Sequence, residues 1–340
     1  MILSGSTNKT LLGYFYNEAS VLLPSWCDHH SKIFNHGILY DYDSTDRGAE
    51  VVKKICPTWE VRKTRNKDFD FEAADQELKE AEIETKGWKA ILNTTEFFVG
   101  KNLVKMLDEA DPSIMFFGGL SYFMCDTYPS MLLEFDRKKP IIPQRTFGYY
   151  EGYNGLRVGN RYIHRYEGSD YNSGVVYPNG KNTMKGKGEH PDSFGFLWYG
   201  FSPWPQVIPR RLQIQHRISE RERHLGRGSH HFVNIETLWE WFKENTKKSS
   251  DLREDKRFVS WVEDFYPEIK LKRSTTKKFV QTLPKLNLEL PKEELQKPIL
   301  ETSRRYNVPD FSSEPPMKID KRKTYKNTKG ESVDVAISLT

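Results

Sequence analysis

"WKAILNTTEFFVG", Trp88 to Gly100, runs from three apolar residues, Ala90, Ile91 and Leu92, into four polar ones, Asn93, Thr94, Thr95 and Glu96. Phe97, Phe98 and Val99 then turn apolar again. The pattern is a buried strand that meets a loop, with polar groups gathered at the strand's carboxyl end. What those groups serve depends on how many such strands the chain holds.

Upstream the same alternation recurs. "LLGYFY" (Leu11–Tyr16) reads as a strand that stops at Asn17 and Glu18, and "ASVLLPSWCDHHSKIF" has helical spacing with its start set near Pro24. "HGILYDYD" is a second strand, followed by "STDRGAEVVKKI", where Ser44, Thr45 or Asp46 can cap a helix. "WEVRKT" is a third short strand. Phe71, Ala74, Leu78 and Ala81 recur at offsets of three and four through "DFEAADQELKEAEIET", which predicts an amphipathic helix ended by Gly87. Trp88 then opens the fourth strand. Four strand–helix alternations argue for an α/β fold, a mostly parallel sheet flanked by helices. In such sheets a ligand sits beyond the carboxyl ends of the strands, and here those ends, "FYNE", "YDYDSTD", "KTRN" and "NTTEF", are all polar.

From about residue 100 to 232 the chain is rich in Gly, Tyr, Arg and His, as in "TFGYYEGYNGLRVGNRYIHRYEGSDYNSG", and reads as an irregular β- and loop-rich second half. "NIETLWEWFKEN" is a helix with Ile235, Leu238, Trp239 and Phe242 on one face, and "KRFVSWVEDFY" is another. After about Lys272 the composition shifts to Lys, Pro, Ser and Thr. The expected organisation is a main domain over residues 1–245, a helical appendage over 246–271, and an extended or disordered basic tail over 272–340.

Composition narrows the function. Of 340 residues 37% are hydrophobic, enough for one large domain, and the 13% aromatic share suits sites that stack bases or sugars as well as a core. A net charge of +5 is compatible with phosphate-bearing ligands and too weak to argue for nucleic acid, which leaves binding of RNA or DNA through the tail as a distant reading. Cys27, Cys56 and Cys125 form an odd set without CxxC spacing, which fits a reducing compartment. The first residues show no signal-peptide pattern, and the longest apolar run, "IMFFGGLSYFMC", is short of a membrane span, so the expectation is a soluble, cytoplasmic protein. Nucleophile-elbow, P-loop, Rossmann and H-E-x-x-H motifs are missing from the sequence.

Three constellations can carry chemistry. Asp43, at the tip of the second strand, can accept from a base or ribose or ligate a hard cation, though turn chemistry explains it equally. Asn93 and Glu96 can donate and accept, or help hold a metal. Between Arg210 and Arg227 six arginines face only Glu220 and Glu222, and guanidinium forks suit diphosphate oxygens. His230 and His231 follow a Gly-Arg-Gly turn there; a solvated helix and turn is the plainer alternative. His29 and His30 are adjacent on a helix and point apart, which disfavours zinc.

The order "YFYNEASVLLPSWCDHHSKIFNHGILYDYDSTDRGAE", "NTTEFFVG", "SFGFLWYGFSPWP", "RRLQIQHRIS" and "GRGSHHF" resembles glycosyltransferase family 2, over roughly residues 10 to 245. The resemblance implies a GT-A fold that takes a nucleoside diphosphate sugar and passes the sugar to a glycan or other hydroxyl acceptor, usually with inversion. Carried onto this chain, it sets Asn17 and Glu18 against the nucleotide, Asp43 on the base or ribose, and Asn93, Thr95 and Glu96 at the positions of a D-x-D-E-F motif. Arg210, Arg211, Arg217 and His230 then fall to the diphosphate. The two aspartates of that motif, one of which reaches a metal in the family, are replaced by Asn93 and Thr95. Three outcomes stay open: Glu96, with Asp43, ligates a divalent cation (Mn2+ or Mg2+); arginines and a histidine neutralise the diphosphate without metal; or the chain is an inactive module that only binds a glycan or nucleotide sugar. For an inverting transfer, "GEHPDSFGFLWYGF" offers Asp192 as the base with Glu189 behind it, and Trp198 as a ring on which an acceptor sugar stacks.

Overall fold

The computed structural model describes residues 8–20, 22–131, 135–136, 138–151, 158–173, 186–204, 206–226, 233–271, 323–326 and 332–335. The alternation read from the sequence is present. β1 (Lys9–Phe15), β2 (His36–Asp41), β3 (Glu60–Lys63) and β4 (Trp88–Ile91) pair in parallel, in the order β4-β1-β2-β3. Between them run α1 (Leu23–His30), α2 (Gly48–Ile55) and α3 (Phe71–Ile83). Pro24 lies in the first turn of α1, where its missing N–H costs nothing. Asp70 caps α3 by accepting from the Ala73 N–H at 3.0 Å. The residue at the N-cap position of α2 is Arg47, which makes no side-chain cap; Asp46, one of the three expected caps, accepts from the Gly48 N–H at 2.9 Å and also from the Ala19 N–H at 2.8 Å.

Beyond β4 the apolar "EFFVG" is itself a strand, β5 (Glu96–Gly100), followed by α4 (Leu103–Asp108). The run that was too short for a membrane is β6 (Ile114–Cys125), twelve residues long and almost wholly buried. Short α5 (Tyr128–Met131) and α6 (Ile141–Gln144) lead to β7 (Phe147–Tyr150), β8 (Val158–His164), β9 (Lys187–Glu189) and β10 (Phe194–Phe201). β6 pairs antiparallel with β7 and β8 and parallel with β9 and β10, while β10 also pairs antiparallel with β5. β8 bridges to β4, joining both halves into one mixed α/β sheet with a largely parallel centre. No described helix is long and apolar enough to cross a membrane.

Successive strand residues point to opposite faces. Leu12, Ile38, Tyr40 and Ile91 therefore pack with Ala74, Leu78 and Ala81 of α3 on one face, while Leu11, Leu39 and Ala90 face α1 and α2 on the other. α7 (Ile208–Arg217), α8 (Glu220–His224), α9 (Ile235–Lys248), β11 (Ser250–Asp251) and α10 (Lys256–Phe265) follow. The segment expected as an appendage is integral to this body: β11 extends the sheet beside β7, and Phe258, Trp261 and Val262 of α10 are buried in the main core. Gly195 permits that docking, since a Cβ there would lie 2.4 Å from the Trp261 ring. A second unit, from Pro309 onward, contains an antiparallel pair of strands, β12 (Lys323–Lys326) and β13 (Ser332–Val335), within the stretch expected to be an extended or disordered tail.

Candidate functional site

A cavity of about 1110 Å³ opens at the carboxyl ends of β1, β2, β4 and β10. One wall is an aromatic cradle. Tyr14 at the end of β1 meets Tyr42 edge-on at 5.6 Å and Phe69 at 5.1 Å, and Phe71 lies against Phe69 at 5.1 Å. Such a cluster accepts a flat ring by stacking or edge contact.

The loop quoted first forms the floor. Asn93, Thr95 and Glu96 line the cavity. Glu96 is nearly buried, and Arg161 of β8 grips both of its oxygens, Nε to Oε2 at 2.9 Å and Nη2 to Oε1 at 2.8 Å. The Asn93 N–H donates to the same carboxylate at 2.7 Å. From behind, the Trp26 indole donates to the Glu96 carbonyl at 2.9 Å, which locks the loop to α1. Glu18 is likewise claimed: Thr94 donates to one oxygen and Arg210 Nε to the other at 2.6 Å. Two carboxylates on the floor thus end in two arginines.

The opposite wall is one face of α7. Residues three, four and seven apart share a helix face, which sets Arg210, Arg211, Ile214 and Arg217 on the cavity. Arg211 stacks over Phe201 at 4.4 Å and donates to the Gly200 carbonyl at 3.2 Å. No carboxylate among the described residues pairs with it. Loss of water around its guanidinium, with repulsion from Arg210, lowers it to about 10. Arg217 lies over the Tyr16 ring at 5.1 Å and donates to the carbonyls of Tyr42 and Lys67 at 3.0 and 2.9 Å, again with no described carboxylate. Two guanidiniums therefore face the cavity with no carboxylate paired to either among the described residues.

These donors do not fit a divalent cation. A hard cation wants several free oxygens, yet both oxygens of Glu96 are bound by a guanidinium and both of Glu18 are taken. Asp43, expected beside Glu96, is exposed at φ 62°, pairs with Lys63 at 3.3 Å and does not line the cavity. No group of three or more His, Cys, Asp or Glu suited to a metal occurs among the described residues.

Of the residues singled out in the sequence, Glu18, Asn93, Thr95, Glu96, Trp198, Arg210, Arg211 and Arg217 converge on this cavity. Asn17 does not: its Oδ1 accepts from the Thr45 and Asp46 N–H groups at 2.7 and 3.3 Å, so it pins the loop after β2. Asp192 and Glu189 are corrected as well. Asp192 precedes the end of β10 that pairs with Gly100, six residues from Trp198, or about 20 Å along a strand. Glu189 pairs with Phe117, equally remote from Phe123 at the cavity end of β6. Neither can reach a proton there. His230 falls outside the described residues. His29 and His30 are core groups: Nε2 of His29 meets the Phe98 carbonyl at 2.6 Å, so it must donate, and Nδ1 accepts from the Tyr266 hydroxyl at 2.6 Å.

Residues that the sequence did not flag are Arg161, Glu151, Lys248 and the cradle of Tyr14, Tyr42 and Phe69. Arg161 and Ile163 alternate on β8, a period-two signal hidden in a stretch read as irregular.

No protein-family model and no curated protein matches the sequence. Among solved structures, TarS of S. aureus, residues 1–349 in complex with UDP-GlcNAc, superposes with a TM-score of 0.36 at 14% identity, over 88% of each chain. Glucosyl-3-phosphoglycerate synthase from Mycobacterium tuberculosis, in complex with Mn2+, UDP and phosphoglyceric acid, gives 0.28 at 14% identity, over 47% of this chain and 56% of that one. Likenesses this loose leave the functional reading to the chain's own residues.

Proposed function

We propose that the protein is a glycosyltransferase of GT-A type that binds a nucleoside diphosphate sugar in this cavity and passes the sugar, with inversion, to a hydroxyl acceptor. The observation that carries it is charge: Arg211 and Arg217 bring two guanidiniums, neither ion-paired to a carboxylate among the described residues, to a cavity that also holds an aromatic cradle. A diphosphate diester supplies two negative charges, and the base attached to it supplies a flat ring.

In this reading the base lies among Tyr14, Tyr42 and Phe69, the diphosphate lies along α7, and Asn93 and Thr95 meet the sugar. Arg211 and Arg217 stabilise the charge that builds on the departing diphosphate, the part a divalent cation would otherwise take. Glu96 orders the floor through Arg161 and ligates nothing. Trp198, 36% exposed, offers its face to the acceptor.

Isothermal titration with uridine, guanosine and cytidine diphosphates and their sugars, each in EDTA and again with Mn2+, tests the proposal. Binding of one of them in EDTA, followed by release of the free diphosphate from its sugar, is the expected result. Binding without release under either condition would make the protein a recognition module, and absence of binding to all of them would end the reading.

A further inference from the structure

Past Trp198 the cavity changes character. Tyr149, Phe123, Trp198 and Glu96 lie in register across β7, β6, β10 and β5, four neighbouring strands. Their rings form a continuous wall, with Phe123 against Tyr149 at 5.3 Å and against Trp198 edge-on at 4.9 Å. Glu151 stands directly after β7, its N–H donating to the Ser121 carbonyl at 2.8 Å, and its side chain lines the cavity. β7 lies three strand spacings from β5, and Glu151 is two residues beyond the row that ends in Glu96, so the two carboxylates stand about 16 Å apart along the sheet, room for a donor sugar and an acceptor ring between them.

Glu151 differs from the other carboxylates that line this cavity. Glu18 and Glu96 each hold an arginine, Glu72 holds Arg221, and Asp75 sits on α3 beside the cradle at the other end. No described hydrogen bond or ion pair takes either oxygen of Glu151. The charged or titratable groups that act on it are Lys248 from α9, which lies over the Tyr149 ring at 5.6 Å, and Tyr149 from its own strand. Tyr149 cannot compete for the role. Its hydroxyl donates to Asn245 Oδ1 at 2.7 Å, and burial together with Glu151 holds its ionisation far above neutrality.

We propose that Glu151 is the catalytic base, taking the proton of an acceptor hydroxyl presented by a ring that stacks on Trp198. The assignment rests on the donor reading above. In the step, the acceptor oxygen bonds to the anomeric carbon as its proton passes to Glu151. The bond from that carbon to the diphosphate oxygen breaks, and its electron pair leaves with the nucleoside diphosphate. The protonated Glu151 then returns its proton to solvent. Water can stand in as acceptor with the same balance. Half-burial raises the Glu151 carboxyl above the usual carboxylate range, with Lys248 opposing part of the rise, a direction that suits a base working near neutral pH.

The test uses the full chain and whichever nucleoside diphosphate sugar of the panel binds, with water as acceptor and release of the diphosphate as the readout. Glu151→Gln should cut kcat by about 100-fold or more. Its dissociation constant for the nucleoside diphosphate and its Tm should match the parent. The wild-type rise of kcat/KM with pH should be missing from Glu151→Gln and kept, at reduced height, in Glu151→Asp, which also serves if the glutamine variant melts early. Turnover of Glu151→Gln within about threefold of wild type, or an unchanged pH limb, overturns the assignment. So does a wild-type protein that binds the donor and never releases diphosphate, an outcome that spares the donor site. Failure of the wild type to bind any donor removes both.

Discussion

Arg211→Met separates binding from stability. Methionine keeps much of the arginine stem's volume and can still lie on Phe201, so the change removes charge with little loss of shape. At 4 Å from a phosphate oxygen, a unit charge in a protein of effective dielectric 20 contributes about 4 kcal/mol of Coulomb energy. Desolvation and competition with water reduce the net value of a charged hydrogen bond to about 1.5–3 kcal/mol. Titration calorimetry should therefore show the nucleoside diphosphate bound about 10- to 150-fold more weakly. The free protein should respond in the opposite sense. Burial, with repulsion from Arg210 added to it, lowers Arg211 to about 10, so its loss removes a desolvated charge and relieves that repulsion, and the urea midpoint should stay level or rise. Equal affinity in the two proteins would refute the charge argument. A fall in both affinity and midpoint would mean that Arg211 is a structural group.

Other outcomes follow from named contacts. EDTA and saturating Mn2+ should give nucleotide affinities within about twofold of each other, because Arg161 keeps both Glu96 oxygens; an affinity that collapses in EDTA would show that a cation displaces Arg161. Gly195→Ala places a Cβ 2.4 Å from the Trp261 ring and should cost about 1–3 kcal/mol by urea titration, with Trp261 fluorescence reporting α10 loosening. Asp192→Asn and Glu189→Gln should leave turnover within about twofold of wild type, given their distance from the cavity. Burial lowers His29 to about 3, below the 6.5 of an unfolded histidine, so the unfolded chain binds the extra proton first. Stability is complete above 6.5 and declines as pH falls toward 3, by about 2 kcal/mol between pH 6.5 and 5 from this residue. Urea midpoints across that range should fall less steeply in His29→Gln, whose amide can still donate to Phe98 and accept from Tyr266.

What the sequence made legible follows from locality. The four strands and three helices up to Ile91 are written in short periodic runs, and the tips after β1 and β4, with Tyr42 after β2, do converge on one cavity, because parallel strands bring successive carboxyl ends to one edge; the tip after β3 does not line it. Arg210, Arg211 and Arg217 could be read because one helix carries all three. Partners set by non-local pairing could not. Arg161 meets Glu96 across 65 residues only because β8 crosses to β4, and Glu151 enters the cavity only because β7 pairs with β6. Asp192 misled for the converse reason: it is close to Trp198 in sequence, yet a strand lies between them. Asn17 and Asp43 are both polar residues at positive φ, and in each case the turn explains the residue type without a ligand.

The neutral pair Asn93 and Thr95 and the ion pair of Glu96 with Arg161 are two parts of one charge balance. Two aspartates around a divalent cation sum to zero charge, and Asn93 with Thr95 also sum to zero. Glu96 remains negative in either arrangement, and burying it alone would cost several kcal/mol. Arg161 removes that cost and fills the space in front of the carboxylate, which leaves the floor neutral and stiff. On the proposed reading, the positive charge for the diphosphate comes from elsewhere in the cavity, from Arg211 and Arg217 of α7. On this account Arg161→Met should unfold at lower urea, since it exposes Glu96 to an apolar setting, whereas Arg161→Met with Glu96→Gln should recover most of the loss and still bind nucleotide in EDTA. A double variant that needs Mn2+ to bind would mean that the pair, and not α7, sets the charge at the site.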